Sequence, residues 1–293
     1  MSFNINATPR STRGIENYHS SHRRETVFRA LKRGTRTLKV LSDPGTRAFF
    51  GLENETDTSE ALRDRTTCAN FARDILGDLA TCESDCSVSG FEIITQPATL
   101  EAICKGFPID ELCEAMQALN VKSHDGRNCG LHVHVSRAAL GMTPEAIDMV
   151  CAKILVLMDK FTPELIAFAR RDWTTNHYCK KYDGFNGSGE NSTKKLLGKF
   201  KPCKDSRDRY HALNLTNSAT IEFRIFKGTL NPLTLRATVQ LCDTLVQYCK
   251  THTTPEVQTA TWSDLVDTCK LPELKEYCRA RGIGTDTTDT AAA

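Results

Sequence analysis

The segment Ala219–Phe226, continued by Lys227-Gly228-Thr229-Leu230-Asn231-Pro232, constrains this chain more than any other. Apolar and polar residues alternate along it, so it is expected to form a strand with two different faces. Ile221, Phe223 and Ile225 face a core, while Glu222 and Arg224 stand side by side on the other face. A carboxylate beside a guanidinium on the working face of a strand suits metal and phosphate chemistry. The pattern recurs in Cys129–Val135, where His132 and His134 share one face, and in Phe49–Glu55, where Glu53 and Glu55 do. A fourth segment, Gly90–Thr95, sets Glu92 in mostly apolar surroundings. Lone charges are costly to bury, and a shared divalent cation offsets that cost.

The rest of the chain frames these strands. Its 293 residues can bury a substantial core, as one large domain or two. A net charge of +2 selects no class of partner. No apolar run is long enough to span a bilayer and no signal-peptide pattern opens the chain, so no membrane partner is expected. The 13 cysteines are scattered without a C-x-x-C pair. They read as reduced thiols of a cytoplasmic protein rather than as a disulfide framework or a structural zinc site.

Residues 1–40 are basic and polar, and are expected to form a flexible arm. Its functional alternative is contact with a polyanion such as nucleic acid. Residues 41–255 are expected to form the main folded domain, and 256–293 a helical region with a disordered tail. Helices are expected from about Ser59 to Leu79, around Ile109–Leu119, and from Thr143-Pro144-Glu145, a capping hydroxyl followed by proline and an acid. Asn231-Pro232 opens another helix, with Leu235, Val239, Cys242, Leu245, Val246 and Cys249 as its buried stripe. The stretch 172–208, with glycines among lysines, reads equally as a lid over an anionic ligand or as a solvated insertion. Arg209–Leu215 is expected to pair through a hairpin with the Glu222 strand.

Taken in chain order, Glu53-Asn54-Glu55, Gly90-Phe91-Glu92, Gly130-Leu131-His132-Val133-His134, Arg209-Tyr210 with Asn214, and Ile221-Glu222-Phe223-Arg224 with Asn231-Pro232 resemble the amidoligase branch of the glutamine synthetase-like carboxylate–amine ligase superfamily. The resemblance runs from about Phe49 to Tyr248. It implies that residues 41–255 are a catalytic domain of α+β fold, a twisted antiparallel half-barrel sheet backed by helices. It also implies ATP-dependent joining of a carboxylate to an amine through an acyl phosphate, with Mg²⁺ or Mn²⁺ as the metal. Small-molecule or peptide carboxylates and amines would be the substrates. On the same grounds Glu53, Glu55, Glu92, His132 and Glu222 would be metal ligands, and Glu222, Arg224 and Glu53 would carry catalysis. His134 would lie nearer the nucleotide, and Arg224 would stabilise the transferring phosphoryl group. Arg209, Lys194 and Lys199 would contact phosphate or carboxylate. Two other classes stay open. One is a metal-dependent hydrolase that turns over without ATP, and the other a binding or assembly protein that kept the fold without catalysis.

Overall fold

The computed structural model describes residues 3–16, 48–124, 128–182, 185 and 193–284. It is a mixed α/β chain whose described residues include six strands, antiparallel where their register is defined, with helices packed behind them. The chain divides into two compact units, residues 1–134 with 227–235, and residues 135–226 with 236–293.

The first unit contains β1 (Phe50–Glu55), α1 (Arg65–Leu76), β2 (Ala80–Glu83), β3 (Glu92–Thr95), α2 (Ile109–Ala118) and β4 (Gly130–Ser136) as far as His134. Its strands lie in the order β2-β3-β1-β4. On the helix side, Cys68, Phe71, Ala72 and Leu76 of α1 and Leu112 and Met116 of α2 close a core with Cys82, Phe91 and Ile93. The expected helix from Ser59 begins later, because Asp64 is its cap: the Asp64 carboxylate accepts the Thr67 N–H at 3.0 Å. Leu62, counted into that helix from the sequence, is 60% exposed. Gly77, at φ +55°, ends it.

Residues 3–16 of the expected arm pack on this unit. Phe3 meets Phe71 edge-on at 5.1 Å, and the Arg10 and Ser11 N–H groups donate to the Asp74 carboxylate at 2.5 and 2.7 Å. Glu16 donates its N–H to the Cys82 carbonyl and accepts from Ser84, each at 2.9 Å, so it extends the sheet beside β2. The remainder of the expected arm, 17–40, lies outside the described residues.

The second unit holds α3 (Arg137–Leu140), α4 (Pro144–Lys160), α5 (Thr162–Ala169), α6 (Thr193–Asp205), β5 (Leu213–Asn214) and most of β6 (Thr220–Lys227). It continues with α7 (Pro232–Thr251) from Arg236 onward, α8 (Thr254–Thr259), α9 (Trp262–Asp267) and α10 (Pro272–Ala280). The Thr143 hydroxyl caps α4 by accepting the Ala146 N–H at 3.2 Å, and the Asn231 side chain caps α7 by accepting the Thr234 N–H at 2.9 Å. β5 pairs antiparallel with β6, Leu213 opposite Phe223 and Asn214 opposite Glu222.

Within the stretch expected as lid or insertion, α6 buries Leu196, Phe200 and Cys203 and packs against α4. Lys180 forms two 2.8 Å backbone bonds, to Tyr210 and Ala212, that fasten its loop. Residues 183–184 and 186–192 of that stretch lie outside the described ones, as does the end of the expected tail, 285–293. The terminal helices α8–α10 belong to the second unit; Tyr277 of α10 donates its hydroxyl to the Phe168 carbonyl of α5 at 3.1 Å. None of the 13 cysteines is joined in a disulfide, and most of them are buried. No described helix is long and apolar enough to cross a membrane.

Candidate functional site

The first unit gathers acids in a row. In the β1–β3 ladder Glu55 stands opposite Glu92, and in the β2–β3 ladder Glu83 stands opposite the same residue. Residues directly opposite in antiparallel strands project to one face, so all three carboxyl groups point the same way. They are 6%, 2% and 6% exposed for Glu55, Glu92 and Glu83. One oxygen of the central member, Glu92 Oε2, is buried with no hydrogen-bond partner. Burial, with the neighbouring charges of Glu53, Glu55, Asp85 and Glu83, pushes the Glu92 carboxyl up to about 9.

β4 supplies the imidazoles. His132 Nδ1 lies 3.3 Å and His134 Nε2 3.1 Å from the two oxygens of Glu53. Burial pushes Glu53 up, but hydrogen bonds from both histidines, aided by their charge, hold it well below the usual carboxylate range. Ligand atoms of Glu55, Glu92 and His132, all buried, lie within 4.8 Å of one another. Gly130 leaves room for this approach: its N–H donates to Glu55 Oε2 at 2.5 Å, and a Cβ there would come within 3.1 Å of His132 Nε2.

These donors fit a divalent cation. A buried, unpartnered carboxyl oxygen beside two further carboxylates is stable only as the acid or against a positive charge, and hard oxygen donors with one imidazole suit Mg²⁺ or Mn²⁺. The sequence alone does not point to Glu83, because the polar stretch Thr81–Ser89 reads as a turn. Counting the hairpin register back from Glu92 across that turn is the signal that finds it.

In the second unit, Glu222 and Arg224 are neighbours on one face of β6 and form a close ion pair, Arg224 Nη1 on Glu222 Oε1. They are 3% and 9% exposed, so both are buried on that face of the strand. Asn214 Nδ2 donates to the second Glu222 oxygen at 2.6 Å, and Arg224 Nε donates to the Tyr178 carbonyl at 3.4 Å. The guanidinium carbons of Arg209 and Arg224 lie 5.2 and 5.9 Å from the centre of the Tyr210 ring.

The expected site residues are divided between the two units: Glu53, Glu55, Glu92, His132 and His134 belong to the first, and Glu222, Arg224 and Arg209 to the second. Lys194 and Lys199 stand on the exposed side of α6. A family model described as "Putative amidoligase enzyme" matches residues 50–246. No curated protein matches the chain.

Proposed function

The chain belongs to the amidoligase family, and from that premise we propose that it joins a carboxylate to an amine at the expense of ATP, on a glutamine synthetase-like half-barrel. A substrate carboxylate oxygen attacks the γ-phosphorus, the bond to the β–γ bridging oxygen breaks, and ADP leaves. The amine nitrogen then attacks the acyl carbon, phosphate departs and the nitrogen loses its proton, giving the amide. The observation that carries this reading is the buried row Glu55–Glu92–Glu83, joined by His132 and containing an unpartnered carboxyl oxygen.

Glu53, Glu55, Glu83, Glu92 and His132 would hold Mg²⁺ or Mn²⁺, and the family pattern adds Glu222. A cation held there would shield the negative charge of the triphosphate. Glu53, kept ionised by His132 and His134, fixes both imidazoles in place. Arg224, oriented by Glu222 and by the Tyr178 carbonyl, offers its guanidinium to the transferring phosphoryl group. His134 serves the nucleotide, and Arg209, Lys194 and Lys199 serve phosphate or carboxylate groups.

The test is ADP release by the full chain with Mg²⁺ or Mn²⁺ and a pool of amino acids and small polyamines as acceptors. Wild type is compared with Glu222→Ala and Arg224→Ala. Loss of about 100-fold or more in both variants is expected, the size typical of removing one transition-state contact. Wild type that binds no ATP with either metal would sink the reading.

A further inference from the structure

A ligase of this kind needs a seat for the flat base of its nucleotide as well as for its phosphates. The second unit offers one. Tyr178 is 66% and Tyr210 36% exposed, and among the described residues they are the tyrosine, tryptophan and phenylalanine rings that stand exposed. Large apolar rings normally seek cover, and an exposed contiguous pair marks a surface that meets something. Their centroids are 5.7 Å apart at 78°, an edge-to-face contact.

The pair is held in place by its surroundings. Lys180 N–H donates to the Tyr210 carbonyl and Ala212 N–H to the Lys180 carbonyl, both at 2.8 Å, which ties together the two loops that carry the rings. The Tyr210 N–H donates to Asp208 at 2.9 Å. In the same loops Tyr182 stacks on His211 at 4.0 Å and 4°. Two guanidinium groups flank Tyr210, Arg209 at 5.2 Å and Arg224 at 5.9 Å. Arg224 also grips the backbone of Tyr178 at 3.4 Å, so the aromatic pair is mounted on the residue that pairs with Glu222. Rigid π-faces among cations suit a planar group that carries phosphate, because stacking accepts any base and the positive charge favours its anionic tail.

We propose that Tyr178 and Tyr210 form the stacking seat for the nucleobase of ATP, with Arg209 flanking the Tyr210 ring. The inference rests on the ligase reading and adds the residues that recognise its nucleotide. Both tyrosines are positioning residues for the base and take no part in bond making.

Its test uses the full chain with Mn²⁺, titrated separately with ATP and with inorganic tripolyphosphate, which keeps the phosphates and lacks the base. Tyr178→Ala and Tyr210→Ala are each expected to weaken ATP binding about ten-fold, the usual effect of removing a stacking partner. Their affinity for tripolyphosphate should stay at the wild-type value, and Tyr178→Phe and Tyr210→Phe should retain both. Unchanged ATP affinity in the alanine variants would overturn the inference, as would an equal loss for both ligands, which marks a damaged phosphate site. Wild type that binds tripolyphosphate as tightly as ATP would overturn it while leaving the ligase reading intact. Wild type that binds neither would overturn both.

Discussion

Glu92 is under two opposing demands, since it is almost fully buried and yet sits between two other carboxyl groups. Without a cation the least costly state is the neutral acid, which the burial and the charges around it favour. Replacing it by glutamine keeps the shape and removes the option of ionising. Glu92→Gln is therefore expected to melt at the wild-type temperature or higher in metal-free buffer, and to lose the stabilisation that Mn²⁺ gives the wild type. For a cation at about 100 times its dissociation constant that stabilisation is about 2.7 kcal/mol, easily seen in a thermal melt. A variant that still gains the full stabilisation would remove Glu92 from the site. The same scale separates what was legible in the sequence from what was not. His132, His134, Glu53 and Glu55 announced themselves as paired ionisable residues two apart in apolar segments. Glu83 has no such partner on its own strand and becomes visible only through its neighbour across the ladder. The burial of Glu222 and Arg224 was equally hidden, because alternation distinguishes two faces of a strand but does not say what covers the second one.

Among the elements, the β2–β3 hairpin and its contact with β1 decide whether the carboxyl groups line up. Gly90 lies where the chain enters β3, and a Cβ there would sit 2.2 Å from the Thr56 carbonyl oxygen, which is backbone and cannot swing aside. Thr56 also donates its N–H to the Phe91 carbonyl at 3.0 Å, and the Phe91 N–H donates to the Thr56 hydroxyl at 2.9 Å. Gly90→Ala should push β3 off β1, cost about 1–3 kcal/mol in a denaturant melt, and weaken Mn²⁺ binding with it. Wild-type stability in that variant would mean that the strands have room to part. Helix α1 gives a pH-dependent prediction. Hydrogen bonds from Thr67 hold the Asp64 carboxyl below its ordinary value of 3.8. A folded-state value below the unfolded one means that the capping contribution is complete above about pH 4 and fades as the pH falls through the lowered value. Asp64→Ala should thus cost about 1 kcal/mol at pH 7, and the gap to wild type should narrow in acid. Elements with long periodic patterns, such as α4 and α7, could be read from spacing and caps, whereas α6 hid Leu196, Phe200 and Cys203 among five lysines.

On the scale of the whole molecule, the segment 3–16 changes what the N-terminal region contributes. From composition it reads as a solvated basic arm, because nothing in its residue types records that its backbone N–H groups meet Asp74 and Asn70. Yet Phe3, Ile5, Ala7 and Ile15 pack against the core that α1 and α2 make with the sheet, and Glu16 pairs with the strand that carries Glu83. Arg73 fastens the junction. Its side chain is 5% exposed, and Nη2 donates to Glu16 Oε1 at 2.8 Å, to the Cys82 carbonyl at 3.0 Å and to the Thr81 hydroxyl at 3.2 Å. Removing Arg73 leaves the half-buried Glu16 carboxylate without its charged hydrogen-bond donor, which typically costs about 1.5–3 kcal/mol. Arg73→Ala should show a loss of that order in urea, and deletion of residues 1–16 should also destabilise the first unit, since it uncovers apolar surface around Phe71. If the segment acts by docking, a synthetic peptide of residues 1–17 added to the deleted protein should raise its melting temperature in proportion to the logarithm of peptide concentration. A deletion that melts with the wild type, or a peptide that gives no shift, would show that the sheet and its acidic row stand without this segment.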